Sequence, residues 1–212
     1  MKAFDYSNVK NHRTYDVLMP IARVASAAAA RPKCVGAENI PKSGGFILAC
    51  NHITAFDPIH IASHFPLPIH FIGKEELFAS AFVGWFLTKL NAFPVTRGSF
   101  DKSSVEYAIK LVKEGYVLGI FPEGTRSKDF KPSRAKSGVA LIAKAARADV
   151  LPASIYTSDN AKFGSKLTIR FGKPIKFEEL GFSDDGHSSK ELREASRLIM
   201  ERIVELWEKG HE

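Results

Sequence analysis

His52 and Asp57 lie five residues apart in the segment Asn51-His52-Ile53-Thr54-Ala55-Phe56-Asp57. A neutral imidazole can take a proton from an alcohol, and a carboxylate on its other nitrogen fixes the tautomer and stabilises the cation that forms. About 65 residues later, Phe121-Pro122-Glu123-Gly124-Thr125-Arg126-Ser127 brings a carboxylate, a glycine and an arginine into four consecutive residues. Arg126 has the planar fork suited to bidentate contact with phosphate. Gly124 permits a tight turn whose amides can line an anion, and Glu123 can accept from polyol hydroxyls or hold Arg126 in place. Together the two islands hold the parts for removing a proton from a hydroxyl beside a phosphate. Taken singly, each has a plainer reading. Asp57 before Pro58 can simply cap a helix while His52 bonds a carbonyl, and Glu123 and Arg126 can be an ordinary surface pair.

The elements that must position these residues alternate between strand and helix. Phe46–Cys50 is a short apolar run bounded by Ser43-Gly44-Gly45, which reads as a buried strand delivering the first island. Asp57-Pro58 then reads as a helix start, with aspartate as N-cap and proline at the first helical position. Strands are expected at residues 69–72, 117–121, 150–156 and 166–171, and helices at 76–90, 101–113, 133–148 and 188–209. Alternating strands and helices imply an α/β fold, a single domain whose mixed, mostly parallel sheet is flanked by helices. In such sheets, sites form where the chain leaves the carboxyl ends of strands. Both islands directly follow strands, so both can reach one rim.

Residues 1–32 read as an amphipathic helical segment ahead of the domain at 33–212. Leu18, Ile21, Ala22, Ala25, Ala28 and Ala29 fall at helical spacing, with Arg23 and Ser26 pointing elsewhere. Arg31-Pro32 ends the helix, because a residue before proline resists the α conformation. This alanine-rich face suits packing on the domain, and next to that it suits docking at a membrane surface. No apolar run approaches the roughly 18 residues of a spanning helix. The formal charge is +7, a mild attraction toward anions, yet no dense basic run marks a nucleic-acid arm, so no nucleic-acid partner is expected. The two cysteines, Cys34 and Cys50, have neither metal-ligand nor disulfide spacing, which points to a reducing, cytoplasmic compartment. No metal and no cofactor are expected.

With these residues in view, a family resemblance follows. His52-x4-Asp57 and Phe121–Ser127 resemble the first and third motifs of the glycerolipid acyltransferases, specifically the 1-acyl-sn-glycerol-3-phosphate acyltransferases. Between them, Asn91-Ala-Phe-Pro-Val-Thr-Arg97-Gly98 resembles the second motif. Lys136-Ser137-Gly138 resembles the Lys-x-Gly that follows the third, and Leu151-Pro152-Ala153 resembles the fourth, although the family more often has valine around that proline. The ordered set runs from about residue 35 to 171 and is far more specific than any one motif.

The resemblance implies transfer of a fatty acyl group from acyl-CoA or acyl carrier protein to the sn-2 hydroxyl of lysophosphatidic acid, giving phosphatidic acid. In that scheme His52, oriented by Asp57, is the catalytic base. Arg97 and Arg126 hold the phosphate, and Glu123, Gly124 and Thr125 shape the acceptor pocket. The protein is then expected to be cytoplasmic and peripheral on the inner face of the cell membrane. Another lysophospholipid or hydroxylated lipid is the alternative acceptor; a lipid-phosphate-binding module without catalysis and a hydrolase are the alternatives in other classes. Cys50 reads as packing rather than as a nucleophile. His60 and His64, at i,i+4 without an evident third ligand, read as a helix face. Phe78 reads as core and tunnel wall, while Phe82, Trp85 and Phe86 stay open between core, tunnel and membrane interface. Lys128, Lys131 and Arg134 read as a solvated face attractive to lipid phosphate.

Overall fold

The computed structural model describes residues 4–96, 101–183 and 188–212. Its described residues contain one sheet of seven strands in the order β1-β7-β6-β2-β5-β3-β4. These are β1 (Pro32–Val35), β2 (Phe46–Cys50), β3 (Ile69–Lys74), β4 (Phe93–Val95), β5 (Val117–Ile120), β6 (Val150–Tyr156) and β7 (Leu167–Phe171). Every pairing is parallel except β6 with β7. The helices are α1 (Arg13–Ala30), α2 (Asp57–Ala62), α3 (Ala81–Lys89), α4 (Lys102–Lys113), α5 (Gly138–Ala146) and α6 (Ser189–Glu208).

Strand β2 is central and buried along its whole length, which explains its unbroken apolar sequence. Its side chains alternate in period two. Ile47 and Ala49 pack with Leu111, Ile142 and Ile199 of the α4, α5 and α6 layer. Phe46, Leu48 and Cys50 pack on the opposite side with Tyr15 of α1 and Ile61 of α2.

Several elements depart from the sequence pattern for identifiable reasons. The helix expected at 76–90 is broken into a 3-10 turn at Glu75–Phe78 and α3, with extended Ser80 between them. Gly84 permits this fold-over, because a Cβ there would sit 2.8 Å from the Phe78 carbonyl oxygen. The helix expected from 133 begins only at Gly138, because the preceding residues bond to the second island instead. The short strands β1 and β4 carried too few residues for a periodic signal. In α1 the buried face is Tyr15, Ser26 and Ala30. Ser26 therefore points inward, where its hydroxyl meets His60 Nδ1 at 2.6 Å, whereas Ile21 is 63% exposed. His64 Nδ1 lies 3.0 Å from the His60 carbonyl oxygen, so both histidines of the i,i+4 pair have local partners. The Tyr15 hydroxyl accepts from Ile69 N at 3.2 Å, tying α1 to the start of β3.

Candidate active site

Sheet register brings the two islands together. Strands β2 and β5 are parallel neighbours with Ala49 opposite Ile120. Three residues further along each chain, His52 therefore meets Glu123. The His52 backbone N–H donates to Glu123 Oε1 at 3.0 Å, and Ser127 N donates to the His52 carbonyl at 2.8 Å. The expectation that both islands share one rim holds in detail.

Asp57 is the organising acceptor of the first island. Its Oδ2 accepts from Ile53 N at 2.6 Å and Thr54 N at 2.9 Å, and its Oδ1 accepts from the Thr54 hydroxyl at 2.6 Å. The His52 Nδ1 lies 2.8 Å from the same Oδ2. Backbone N–H groups can only donate, so this oxygen is an acceptor and Nδ1 carries the hydrogen that points at it. In the neutral imidazole, Nε2 then keeps its lone pair free for an incoming proton. The carboxylate thus turns back into the loop, and α2 is preceded by Phe56 with no side-chain cap; the capping role expected for Asp57 is not the one it plays.

An aromatic stack fixes the imidazole from the side. The His52 and Phe121 rings are stacked at 4.0 Å with 16° between planes, and Phe121 stacks in turn on Phe71 at 5.7 Å. Gly119 makes room for this column, since a Cβ there would lie 2.5 Å from the Phe71 ring. His52 is only 9% exposed, and Asp57 is fully buried.

Glu123 was expected at the substrate, but the structure turns it inward. It is 3% exposed, and its second oxygen accepts from Ser133 N at 3.1 Å and the Ser133 hydroxyl at 2.6 Å. Its geometry is that of a strut between the loop carrying His52 and the chain leading to α5. Gly124 has φ +70°, a conformation that side chains with a Cβ rarely adopt. The Lys136 side chain lies over it, with Nζ 3.0 Å from where a Cβ would be. Thr125 and Arg126 are exposed, and among the described residues Arg126 has no ion-pair or hydrogen-bond partner. Arg97 lies outside the described residues.

Two contributors were not singled out from sequence. The Asn51 side chain accepts from Ile155 N at 2.9 Å and donates to Ile155 O at 3.0 Å, clamping the end of β2 to β6. It is fully buried, so no surface signal betrays it. Lys136 was noted only as part of a motif; its ammonium belongs beside Gly124, and its backbone N donates to Pro122 O at 2.8 Å.

The same geometry argues against a thiol nucleophile. Cys50 is buried, and burial pushes its thiol well above the ordinary range, with Asp57 and Glu123 adding to the effect. Cys50→Ala is therefore expected to keep turnover within about threefold of wild type, since only packing and a weak thiol contact to Asn51 Oδ1 are lost. A steady-state assay of the purified variant checks this; loss of all turnover would restore the thiol as a candidate.

Comparison with known proteins matches this arrangement to one family. Residues 31–156, more than half of the chain, match the family model described as Acyltransferase. The chain belongs to the acyltransferase family. This acyltransferase is 35% identical over 178 residues to the 1-acyl-sn-glycerol-3-phosphate acyltransferase of Bacillus subtilis, covering 82% of this chain and 87% of that one. It is 31% identical over 155 residues to the protein of the same name from Streptococcus pneumoniae, covering 70% and 57%. The crystal structure of the 1-acyl-sn-glycerophosphate acyltransferase PlsC from Thermotoga maritima superposes with a TM-score of 0.71 at 29% identity, covering 90% of this acyltransferase and 78% of that chain.

Proposed function

We propose that the protein transfers a fatty acyl group from an acyl thioester to the sn-2 hydroxyl of lysophosphatidic acid, giving phosphatidic acid. The observation that carries this reading is the His52–Asp57 pair, held with Nε2 free beside a turn bearing two cations, Arg126 and Lys136. The names of the relatives agree with it. His52 Nε2 takes the hydroxyl proton as the oxygen attacks the thioester carbonyl. Collapse of the tetrahedral intermediate breaks the C–S bond, and the imidazolium returns its proton to the departing thiolate. Asp57 holds the ring and stabilises its transient charge. Arg126, Lys136 and Arg97 bind the phosphate, with Gly124 and Thr125 shaping the turn. Asn51 and Glu123 position the loops without touching substrate.

A cleft of about 460 Å³ adjoins the first island, floored by Ala22, Ala25 and Ala29 and flanked by Phe56 and Phe163. Its walls suit a fatty-acyl chain. The donor is acyl-CoA or acyl carrier protein, and the reaction takes place at a membrane surface, with the protein peripheral on the cytoplasmic face. No described helix is long and apolar enough to cross a membrane.

The test is turnover of lysophosphatidic acid with each donor, wild type against His52→Ala. Phosphatidic acid from wild type with at least one donor is expected, and none with either overturns the reading. Arg126→Ala is expected to raise the acceptor KM by about 10-fold or more, as loss of a charge-assisted contact does, with kcat little changed. An unchanged acceptor KM would remove Arg126 from phosphate binding.

A further inference from the structure

The exposed large apolar side chains are confined to one side of the molecule. Among the described residues there are ten: three on α1, five on α3 and the turn before it, and one each in the loops after β2 and β6. None belongs to α4, α5 or α6, the layer over the opposite sheet face. Phe78, in the turn on which α3 rests, packs over Gly73 of β3, which faces the same way as Ile69 and Phe71, so α3 lies on the same side as α2 and α1.

Helix α3 is the sharpest case. Phe82 is 74% exposed, Trp85 56% and Phe86 37%, and the Phe82 and Trp85 rings lie 6.4 Å apart. Gly84 is the one buried residue of this helix, so α3 rests on the turn below and turns its aromatic side outward. Its end is joined to the start of α1, because Asn91 Oδ1 accepts from His12 N at 3.0 Å. The outward face of α1 presents Val17, Ile21 and Val24 at i, i+4 and i+7. Around these residues, Lys10, Arg13, Arg23 and Arg31 outnumber the one acidic residue of that stretch, Asp16.

We propose that the aromatic face of α3 inserts into the interfacial layer of an anionic lipid bilayer, beside the outward face of α1. This deepens the reading of a lipid acceptor and rests on it for its purpose. Tryptophan and phenylalanine on one helix face, with cations alongside, match the headgroup boundary. The turn before α3 and the loop carrying Phe56 both leave the sheet at the catalytic rim. A bilayer seated on this side therefore meets the rim and can deliver an acceptor to it, whereas a second protein there would cover the opening.

The test uses the full chain with Trp207→Phe, leaving Trp85 as the sole indole, and vesicles of phosphatidylcholine with and without phosphatidylglycerol. Trp85 emission should shift to the blue on vesicles, more strongly on anionic ones. In the otherwise wild-type chain, Phe82→Ser and Trp85→Ser should each weaken vesicle sedimentation by about tenfold, the scale of one lost apolar side chain. Turnover of vesicle-embedded acceptor should fall with it, and turnover of a short-chain soluble acceptor should not. An unmoved Trp85 emission, or Phe82→Ser protein that binds vesicles like wild type, would overturn the proposal. So would a dimer that Phe82→Ser dissociates, since the face would then belong to a second copy. Vesicle binding needs no turnover, so a failure of the acyl-transfer reading would be seen separately.

Discussion

His52→Ala lowers turnover by about 10²–10⁴-fold, the contribution of a positioned general base, while the protein stays folded. The second half of this expectation follows from which atoms of His52 the fold uses. Its N–H donates to Glu123 and its carbonyl accepts from Ser127, and both are backbone groups that alanine retains. What disappears is the ring, with its stack on Phe121 and its bond to Asp57. Steady-state kinetics at saturating donor, paired with thermal unfolding, checks both halves. Activity within tenfold of wild type would show that another group removes the proton.

Asp57→Asn should still damage the chemistry, by about 10²-fold or more. Its oxygen can keep the Oδ2 bonds to Ile53 N and Thr54 N, but a neutral amide no longer stabilises the imidazolium charge that forms on His52. Asp57→Ala should add a loss of stability. It strips the acceptor from Ile53 N, Thr54 N and the Thr54 hydroxyl, and each buried donor left unpaired costs about 1–3 kcal/mol. Comparing the two variants by kinetics and by denaturant unfolding separates the carboxylate's charge from its scaffold role. Equal stability of both would mean that water or relaxation replaces the lost acceptor. A fully active Asp57→Asn would mean that the negative charge of Asp57 is not needed for the reaction.

The sequence made the sheet and the His52–Asp57 pair legible because both depend on local signals. An apolar run such as Phe46–Cys50 can hardly be anything but a buried strand, and a His-x4-Asp segment after it places the pair at the strand's exit. Roles decided by long-range partners were harder to read. Glu123 resembles a substrate-facing acid until Ser133 and the His52 amide are seen to occupy it. Asn51 shows no periodicity or exposure to mark it, and its role comes from Ile155, more than 100 residues away. Ser133–Ser137 has helical composition, yet bonds to the second island hold it out of α5. For Ser26, assigned to the wrong side of α1, the deciding partner was His60, which the helical spacing of α1 could not reveal.

The pairing of Ala49 with Ile120 also says where this active site tolerates change. The distance between its halves is set by hydrogen-bond ladders, so the intervening chain from α2 to α4 can gain or lose residues in its loops, outside the segment that carries Arg97, without separating His52 from Glu123. A single residue deleted within β5 would be different. It would slip the ladder by one step, carry Glu123 away from the His52 amide and send alternate side chains to the opposite face. Length variation among related chains should therefore collect in the loops between the two motifs away from Arg97, and spare the strand just before each.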